Sequence, residues 1–430
     1  MLAPVKPGEE ASLVMVPLSA PSAPAYDSVF TLCCIAHFCL MLNISMFFRY
    51  ADFVRFIGGS EWDLGWIAGV GVLGAIGMRT AQGMAMSRFG VGAVWVASLV
   101  LLIAASLEHL FITTAHSPLV YFMRAFVASG IAGSFGSMVA FISMRAPEER
   151  VPELVGMAGS SGFLGWFIGP ILGDMLFAGG AVTAVRIERM FLLAAGFAGL
   201  SLIFALLAQW RARMRPGAHP HDDDHAGDAY PPELRGAFWR VIARYHPPAL
   251  VMLALAMGIG IGVPGVFVRA FTAEIGVSNI TFFFFTYAVA AFTFRVLTRR
   301  FVQRYGMRWV GVAGTLIMGC GMAAFLLVGS ETALILPGFL FGLAHALLFP
   351  AIVGGGSRFF PRKHRGVGST ALLGLIDIGN FLGNPLAGGL VTFTGSYAIM
   401  FLSVAGVMWA AAASYLWATR PPRATRTVGP

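Results

Sequence analysis

Charge is scarce in this chain. Only 11% of its 430 residues are charged and 57% are hydrophobic, against roughly 25% charged in a soluble domain, which excludes a water-solvated globular fold. Cysteine is rarer still. Cys33, Cys34 and Cys39 share one apolar run and Cys320 lies far from them, which gives neither a disulfide framework nor a metal-ligand spacing, so they read as small packing residues. The chain has no G-x-x-x-x-G-K-[ST] phosphate loop, and within its apolar runs no His/Glu metal motif and no grouped nucleophile and base, which argues against ATP-driven work and intramembrane catalysis. No cofactor or metal is implied. The first 27 residues carry Glu9, Glu10 and several Pro and Ser before any apolar run, unlike a cleaved leader.

Long apolar runs are what the chain does have. About 20 such residues span a bilayer, and twelve runs are found near 28–48, 64–86, 91–112, 117–143, 154–178, 187–209, 247–268, 278–298, 309–329, 332–356, 367–393 and 396–418. The expected fold is an all-α polytopic membrane protein of twelve helices. Between its two sets of six, residues 211–246 are rich in Pro, His and Asp, and end in ELRGAFWRVIARY, an amphipathic pattern suited to the membrane surface. The expected organisation is an N-terminal tail 1–27, a first bundle 28–210, the linker 211–246, a second bundle 247–419 and a tail 420–430. His219, His221, Asp222, Asp223, Asp224 and His225 in the linker either hold a metal or form a solvated hinge; without regular spacing the hinge is preferred.

The net charge of +9 is a matter of topology. Of 29 Lys and Arg, Arg49, Arg55, Arg186, Arg189 and Arg269 fall on one side, Arg124 falls within a span, and the remaining 23 fall on the side of the linker and both tails. By the positive-inside rule that side is cytoplasmic, so the location expected is the inner membrane, with anionic lipid and not nucleic acid as the partner of the bases. Residues 51–63 form the longest connection on the other side and read as lying along the outer interface, anchored by Trp62 and Trp66.

The two sets of six are related. MRTAQGMAMSRFGVG at 78–92 returns as FRVLTRRFVQRYGMR at 294–308, aligning Arg79 with Arg295, Arg88 with Arg304 and Gly90 with Gly306. At nearly the same offset Gly165-x-x-x-Gly169-Pro170-x-x-Gly173 aligns with Asn380-x-x-x-Asn384-Pro385-x-x-Gly388. Duplication of this kind is common in transporters, with a path between the halves.

At these loops the sequence resembles the major facilitator superfamily, whose signature after the second span is G-x-x-x-D-R-x-G. Here it reads Gly83-Met-Ala-Met-Ser87-Arg88-Phe89-Gly90, and in the second half Gln303-Arg304-Tyr305-Gly306. The acid of the family's cytoplasmic latch is missing from both copies, which implies a weaker or differently wired gate at Arg79, Ser87, Arg88, Gly90, Arg295, Gln303, Arg304 and Gly306. Gly165 to Gly173 resembles the antiporter motif G-x-x-x-G-P-x-x-G-G, with Asp174 in place of the last Gly. This row and Asn384, Pro385 and Gly388 serve either helix packing or a conformational hinge. Phe294-Arg295, Gly342-x-x-His345 to Phe349-Pro350, and Arg365-Gly366 leading to Asp377-Ile-Gly379-Asn380 are similar to bacterial multidrug and metabolite exporters. The fourth-span pattern R-x-x-x-G finds Arg124, but the Gly stands at 130 and not 128, which puts a proton-transfer role for Arg124 in question.

Ionisable groups at bilayer depth should face a cavity or a partner. The resemblance implies that spans one, four, seven and ten line the cavity, and His37, Arg124 and His345 fall on three of them, with Asn43 as a further candidate cavity residue. His37 and His345 either bind substrate and move protons or hydrogen-bond across helices. Arg124 offers a permanent charge and a fork of donors to an anionic or polar group, or stabilises the outer cavity wall. Asp377 aligns with Gly162, so the acid is not a relic of duplication; it either carries the coupling proton or is paired with His345 or a helix end. Arg79 and Arg295 can snorkel to lipid phosphate, and Phe282 to Phe285 and Phe292 either meet lipid and helices or form an apolar binding wall.

The preferred reading is a monomeric secondary transporter of small organic molecules, a non-enzyme working by rocking of two six-helix bundles in proton-coupled export. Uptake of a small carboxylate held by Arg124 is the alternative. A transport-dead sensor or scaffold signalling through the linker stands behind both.

Overall fold

The computed structural model describes residues 26–146, 150–178, 181–214, 238–298, 301–360 and 365–420. The linker set His219 to His225 lies outside the described residues, as do 1–25 and 421–430.

Secondary structure among the described residues is helical throughout. The first half holds α1 Ser28–Met46, α2 Tyr50–Phe56, α3 Glu61–Phe89, α4 Val91–Glu108, α5 Pro118–Arg145, α6 Val151–Phe177 and α7 Ala184–Arg213. The short α8, Phe238–Tyr245, leads into α9 Pro248–Glu274, α10 Thr281–Leu297, α11 Phe301–Ala324, α12 Ile335–Phe349, α13 Arg365–Thr394 and α14 Tyr397–Ala418. Ten helical stretches are long and apolar enough to cross a membrane, and α1 with α2 makes one of them, Ser28–Phe56. The apolar α10, 17 residues, and α13, 30 residues, bring the spans to twelve among the described residues.

Local sequence explains where the helices begin and end. Asp27 caps α1 by accepting from the Phe30 N–H at 2.7 Å, and Ser60 with Asp63 forms a reciprocal capping box on α3, each satisfying N–H groups that a helix start leaves unpaired. Gly90 and Gly306 end the two copies of the repeated segment in the same backbone conformation, φ 82 and ψ 152 against φ 80 and ψ 152. Only glycine adopts that region without strain, so the repeat seen in sequence is also a repeat of chain path.

Packing repeats as well. In the first half α1 packs on α6 and α7, α5 on α3 and α4, and α4 on α7; in the second half α9 packs on α13 and α14, α12 on α10 and α11, and α11 on α14. The halves meet where α3 packs on α13 and, in the equivalent place, α6 on α10. Large apolar side chains such as Phe393, 81% exposed, and Phe111, 73% exposed, point away from protein, as expected of a lipid-facing surface.

Cys33 and Cys39 are buried and Cys34 half-buried, as packing residues, whereas Cys320 is exposed on α11. Residues 51–56 do not lie along the outer interface. A single 3-10 turn, Phe47–Arg49, turns α1 into α2, and α2 is packed into protein with Phe53 and Val54 buried.

Candidate functional site

A cavity of about 180 Å³ lies between the halves. The first half contributes Phe47 and Phe48 from the turn after α1, Arg124 from α5 and Trp166 from α6; the second contributes Phe284 and Tyr287 from α10 and Asn380 and Asn384 from α13. Gly262, Pro264 and Gly265 of α9 complete the wall. The run Phe282 to Phe285 divides by helical geometry: Phe283 and Phe284 are buried and line the cavity, while Phe282, Phe285 and Phe292 are exposed. Phe48 and Phe284 stack across the halves, with ring centroids 3.9 Å apart. Arg124 is the cation in this wall. Its guanidinium carbon lies 5.0 Å from the Phe47 ring centroid and 4.8 Å from that of Tyr50, and none of the described carboxylates pairs with it.

The end of the molecule away from the linker is sealed by buried charge. Arg269 of α9 donates from Nε to both Asp52 oxygens at 3.0 and 2.9 Å, and Arg49 donates to Asp52 at 3.0 Å and to the Ser278 carbonyl at 3.1 Å. Asp174, 7% exposed, accepts from the Ile280 N–H at 2.9 Å, the Thr281 N–H at 2.9 Å and the Thr281 hydroxyl at 2.6 Å. The acid that replaces the last glycine of the motif therefore holds the start of α10 in the other half. At the rim, Arg55 pairs with Glu61 at 2.5 Å and reaches Tyr397 Oη at 3.1 Å. This seal was absent from the sequence-derived site. Its signal was available: Arg49, Arg55 and Arg269 are three of the five bases that break the charge asymmetry.

On the linker side of the cavity, Arg79 Nε donates to Asp377 Oδ2 at 2.6 Å, joining α3 to α13. Asp377 is thus paired, with Arg79 and not with His345 or a helix end. His345 instead shares a hydrogen bond of 2.6 Å between its Nδ1 and Tyr287 Oη, which ties it to the cavity wall. Arg295 lies between the rings of Phe163 and Phe349, its guanidinium carbon 5.3 and 5.2 Å from their centroids, and its buried Nε has no hydrogen-bond partner. Toward the linker, a Cβ added at Gly77 of α3, Gly156 or Gly159 of α6, or Gly374 of α13 would meet no neighbouring segment within 4 Å. The halves are joined by buried charge at the far end and by the Arg79–Asp377 pair on the linker side of the cavity.

Other expected site residues sit elsewhere. Asn43, fully buried, donates to the Ala194 carbonyl at 2.8 Å; it pins α1 to α7 and does not line the cavity, because its amide is spent on that backbone group. His37, 2% exposed, packs in the first bundle with its ring 5.2 Å from Phe135 and its Nδ1 without a partner. Gly165 and Gly169 face α1: a Cβ on Gly165 would come within 2.5 Å of the Met41 Cβ, and one on Gly169 would collide with Ser45. Gly173 follows beside Arg49, with Pro170 inside the same helix. The aligned row in α13 begins like its counterpart, with Asn380 against Gly258 and Gly262 of α9 in its own half, but from Asn384 onward it meets the other half, where a Cβ on Gly65 would meet the Asn384 carbonyl at 2.5 Å, one on Gly69 the Pro385 ring at 2.7 Å, and one on Gly388 the Glu61 carbonyl. At the linker end Arg88 and Arg304 are exposed over Phe89 and Tyr305. Gln303 is also exposed, and the Ser87 side chain lies outside the described residues. Arg88 borders a cleft of about 310 Å³ with Arg145, Gln209 and Arg213.

No curated protein sequence matches this chain. Among solved structures, the D-xylose-proton symporter superposes with a TM-score of 0.71 at 16% identity, covering 91% of this chain and 97% of that one. A bacterial homolog of the human lysosomal transporter Spinster gives 0.71 at 16% identity over 92% and 97%, and the nucleoside transporter NupG gives 0.67 at 11% over 91% and 99%. At such identities these likenesses speak for the fold. The Major Facilitator Superfamily model matches residues 33–278 and 249–430. Two bundles of six spans with a cavity between them, and a family match that runs through both, place this multi-pass membrane protein in the Major Facilitator Superfamily, a family of transporters and not of enzymes.

Proposed function

We propose that the protein is a secondary transporter of a small organic anion with an apolar or aromatic body. Arg124 carries the reading: it is a permanent cation in the wall of the central cavity, met by aromatic faces and by no described carboxylate. An uncompensated guanidinium at membrane depth costs about 2.5–3.5 kcal/mol, which an anionic substrate would recover. Phe47, Phe48, Trp166 and Phe284 supply the apolar wall, and the Asn380 amide, whose Oδ1 accepts from Asn384 Nδ2 at 2.6 Å, supplies donors for further polar groups.

Proton coupling is proposed through Asp377. Protonating it removes the charge that holds Arg79, so one proton would loosen the contact between α3 and α13. The preferred direction is export, with Arg124-dependent uptake as the alternative. On the positive-inside rule we place the linker and both termini on the cytoplasmic face of the inner membrane, with anionic lipid against the Arg88, Arg145 and Arg213 cleft and the protein acting as a monomer of two bundles, 28–210 and 247–419.

The test is reconstitution in liposomes holding a pH dye, challenged with a panel of organic anions, cations and neutral solutes. Anion-dependent proton flux is expected, falling about 100-fold in Arg124→Gln and less in Arg124→Lys, as for loss of a charged hydrogen-bond donor from a dry site. Flux driven by neutral or cationic solutes and unchanged in Arg124→Gln would overturn the reading.

A further inference from the structure

Arg124 is not the only guanidinium without an acid. Among the described residues, the carboxylates ion-paired with arginine are Asp377 with Arg79, Asp52 with Arg49 and Arg269, Asp174 with Arg49, and Glu61 with Arg55. Arg295 of α10 remains, and no described carboxylate pairs with it. The duplication explains why. It maps Arg79 onto Arg295 and Asp377 onto Gly162, so the contact between α6 and α10 inherits the base of the contact between α3 and α13 without its acid. Where the acid would be, Gly162 lies against the His37 ring.

Arg295 is also connected to the cavity. Tyr287 lines the cavity and bonds to His345, and His345 packs on the same two rings, Phe163 and Phe349, that hold the Arg295 guanidinium. Along α10 itself, Arg295 lies about two turns beyond Tyr287 toward the linker.

Resting on the organic-anion reading above, we infer that Arg295 is a second substrate-contact residue and that the substrate is a dianion, with one acidic group met by Arg124 and the other by Arg295. A monoanion would leave one of the two guanidiniums without counter-charge in a low-dielectric path, whereas a molecule acidic at both ends satisfies both. Its middle would lie against the Trp166 and Tyr287 rings, which are 5.3 Å apart.

Isothermal titration calorimetry on the full-length protein in detergent tests this, using unbranched monocarboxylates and dicarboxylates of four to eight carbons. At one chain length the dicarboxylate is expected to bind about tenfold more tightly or better, the factor that one additional partly screened ion pair provides. Arg295→Gln should remove that preference and Arg295→Lys should retain most of it, with thermal unfolding of each variant as a check on folding. Equal affinity for the two series at every length, or a preference that survives Arg295→Gln, would overturn the dianion. Binding of neither series, or binding indifferent to Arg124→Gln, would instead overturn the organic-anion reading and this inference with it.

Discussion

Arg79 and Asp377 are 298 positions apart in sequence and 2.6 Å apart in space, the one on α3 and the other on α13. The loop signature near Arg79 lacks its acid at Ser87, and this pair places an inter-half charge contact about two turns deeper. The side chains are 21% and 17% exposed, so the pair is shielded enough for its charges to matter.

Reversing the pair tests that contact. Arg79→Asp and Asp377→Arg should each reduce transport by tenfold or more, and the double variant should recover much of it, with a coupling energy of about 1–3 kcal/mol. Proteoliposome transport rates in the four-way cycle measure this; strictly additive losses would show that the two side chains act independently. In Asp377→Asn, gradient-driven accumulation should disappear while substrate counterflow, which needs no net proton movement, persists.

Asp174→Gly restores the residue of the antiporter motif and removes three acceptor contacts to Ile280 and Thr281. Hydrogen bonds to a charged group contribute about 1.5–3 kcal/mol each, so the population sealed at the far end should fall by at least tenfold. Pulsed spin-label distances between the far ends of α6 and α10 read this as a larger long-distance fraction. A distribution identical to that of the parent protein would mean the seal is held by Arg49, Asp52 and Arg269 without Asp174.

The small-residue row of α6 should behave as structure. In Gly169→Ala the new methyl collides with Ser45, and overpacking of this kind costs about 1–3 kcal/mol. Lower thermal stability in detergent is expected, with near-parental substrate affinity in the fraction that folds. Full stability with slowed turnover would favour the hinge reading instead.

Sidedness can be read with thiol labels on a cysteine-free background, since Cys320 is exposed. A cysteine at Thr113, in the exposed turn between α4 and α5, should react from outside intact cells, and one at His225 in the linker should not. The opposite pattern would invert the proposed topology.

Sequence patterning carried the architecture because its signals are local or repeated. Apolar runs marked the spans, and Gly90 and Gly306 marked a chain path that returns in the same conformation. The pairing of charges was not legible, because it depends on which helix faces come together. Asp377 was visible as an isolated acid, but its partner on α3 follows from the packing of α3 on α13. Asn43 reads as a polar residue on a cavity-lining helix, yet its face of α1 turns toward α7. The seal at Arg49, Asp52, Asp174 and Arg269 left only an indirect trace, in bases on the unexpected side and an acid in a glycine's place.

The aligned rows of α6 and α13 begin alike, Gly165 against α1 and Asn380 against α9, and then diverge in the neighbours they meet. Gly165 and Gly169 press on α1 within their own bundle, a joint that would stay closed in the proposed cycle, with the bundles moving as units. Asn384, Pro385 and Gly388 press on α3 of the opposite bundle, a joint that would have to slip and re-form in that cycle. In the proposed cycle the first copy would be a weld and the second a bearing. Damage to the weld should show as missing protein, and damage to the bearing as intact protein that cycles at the wrong speed.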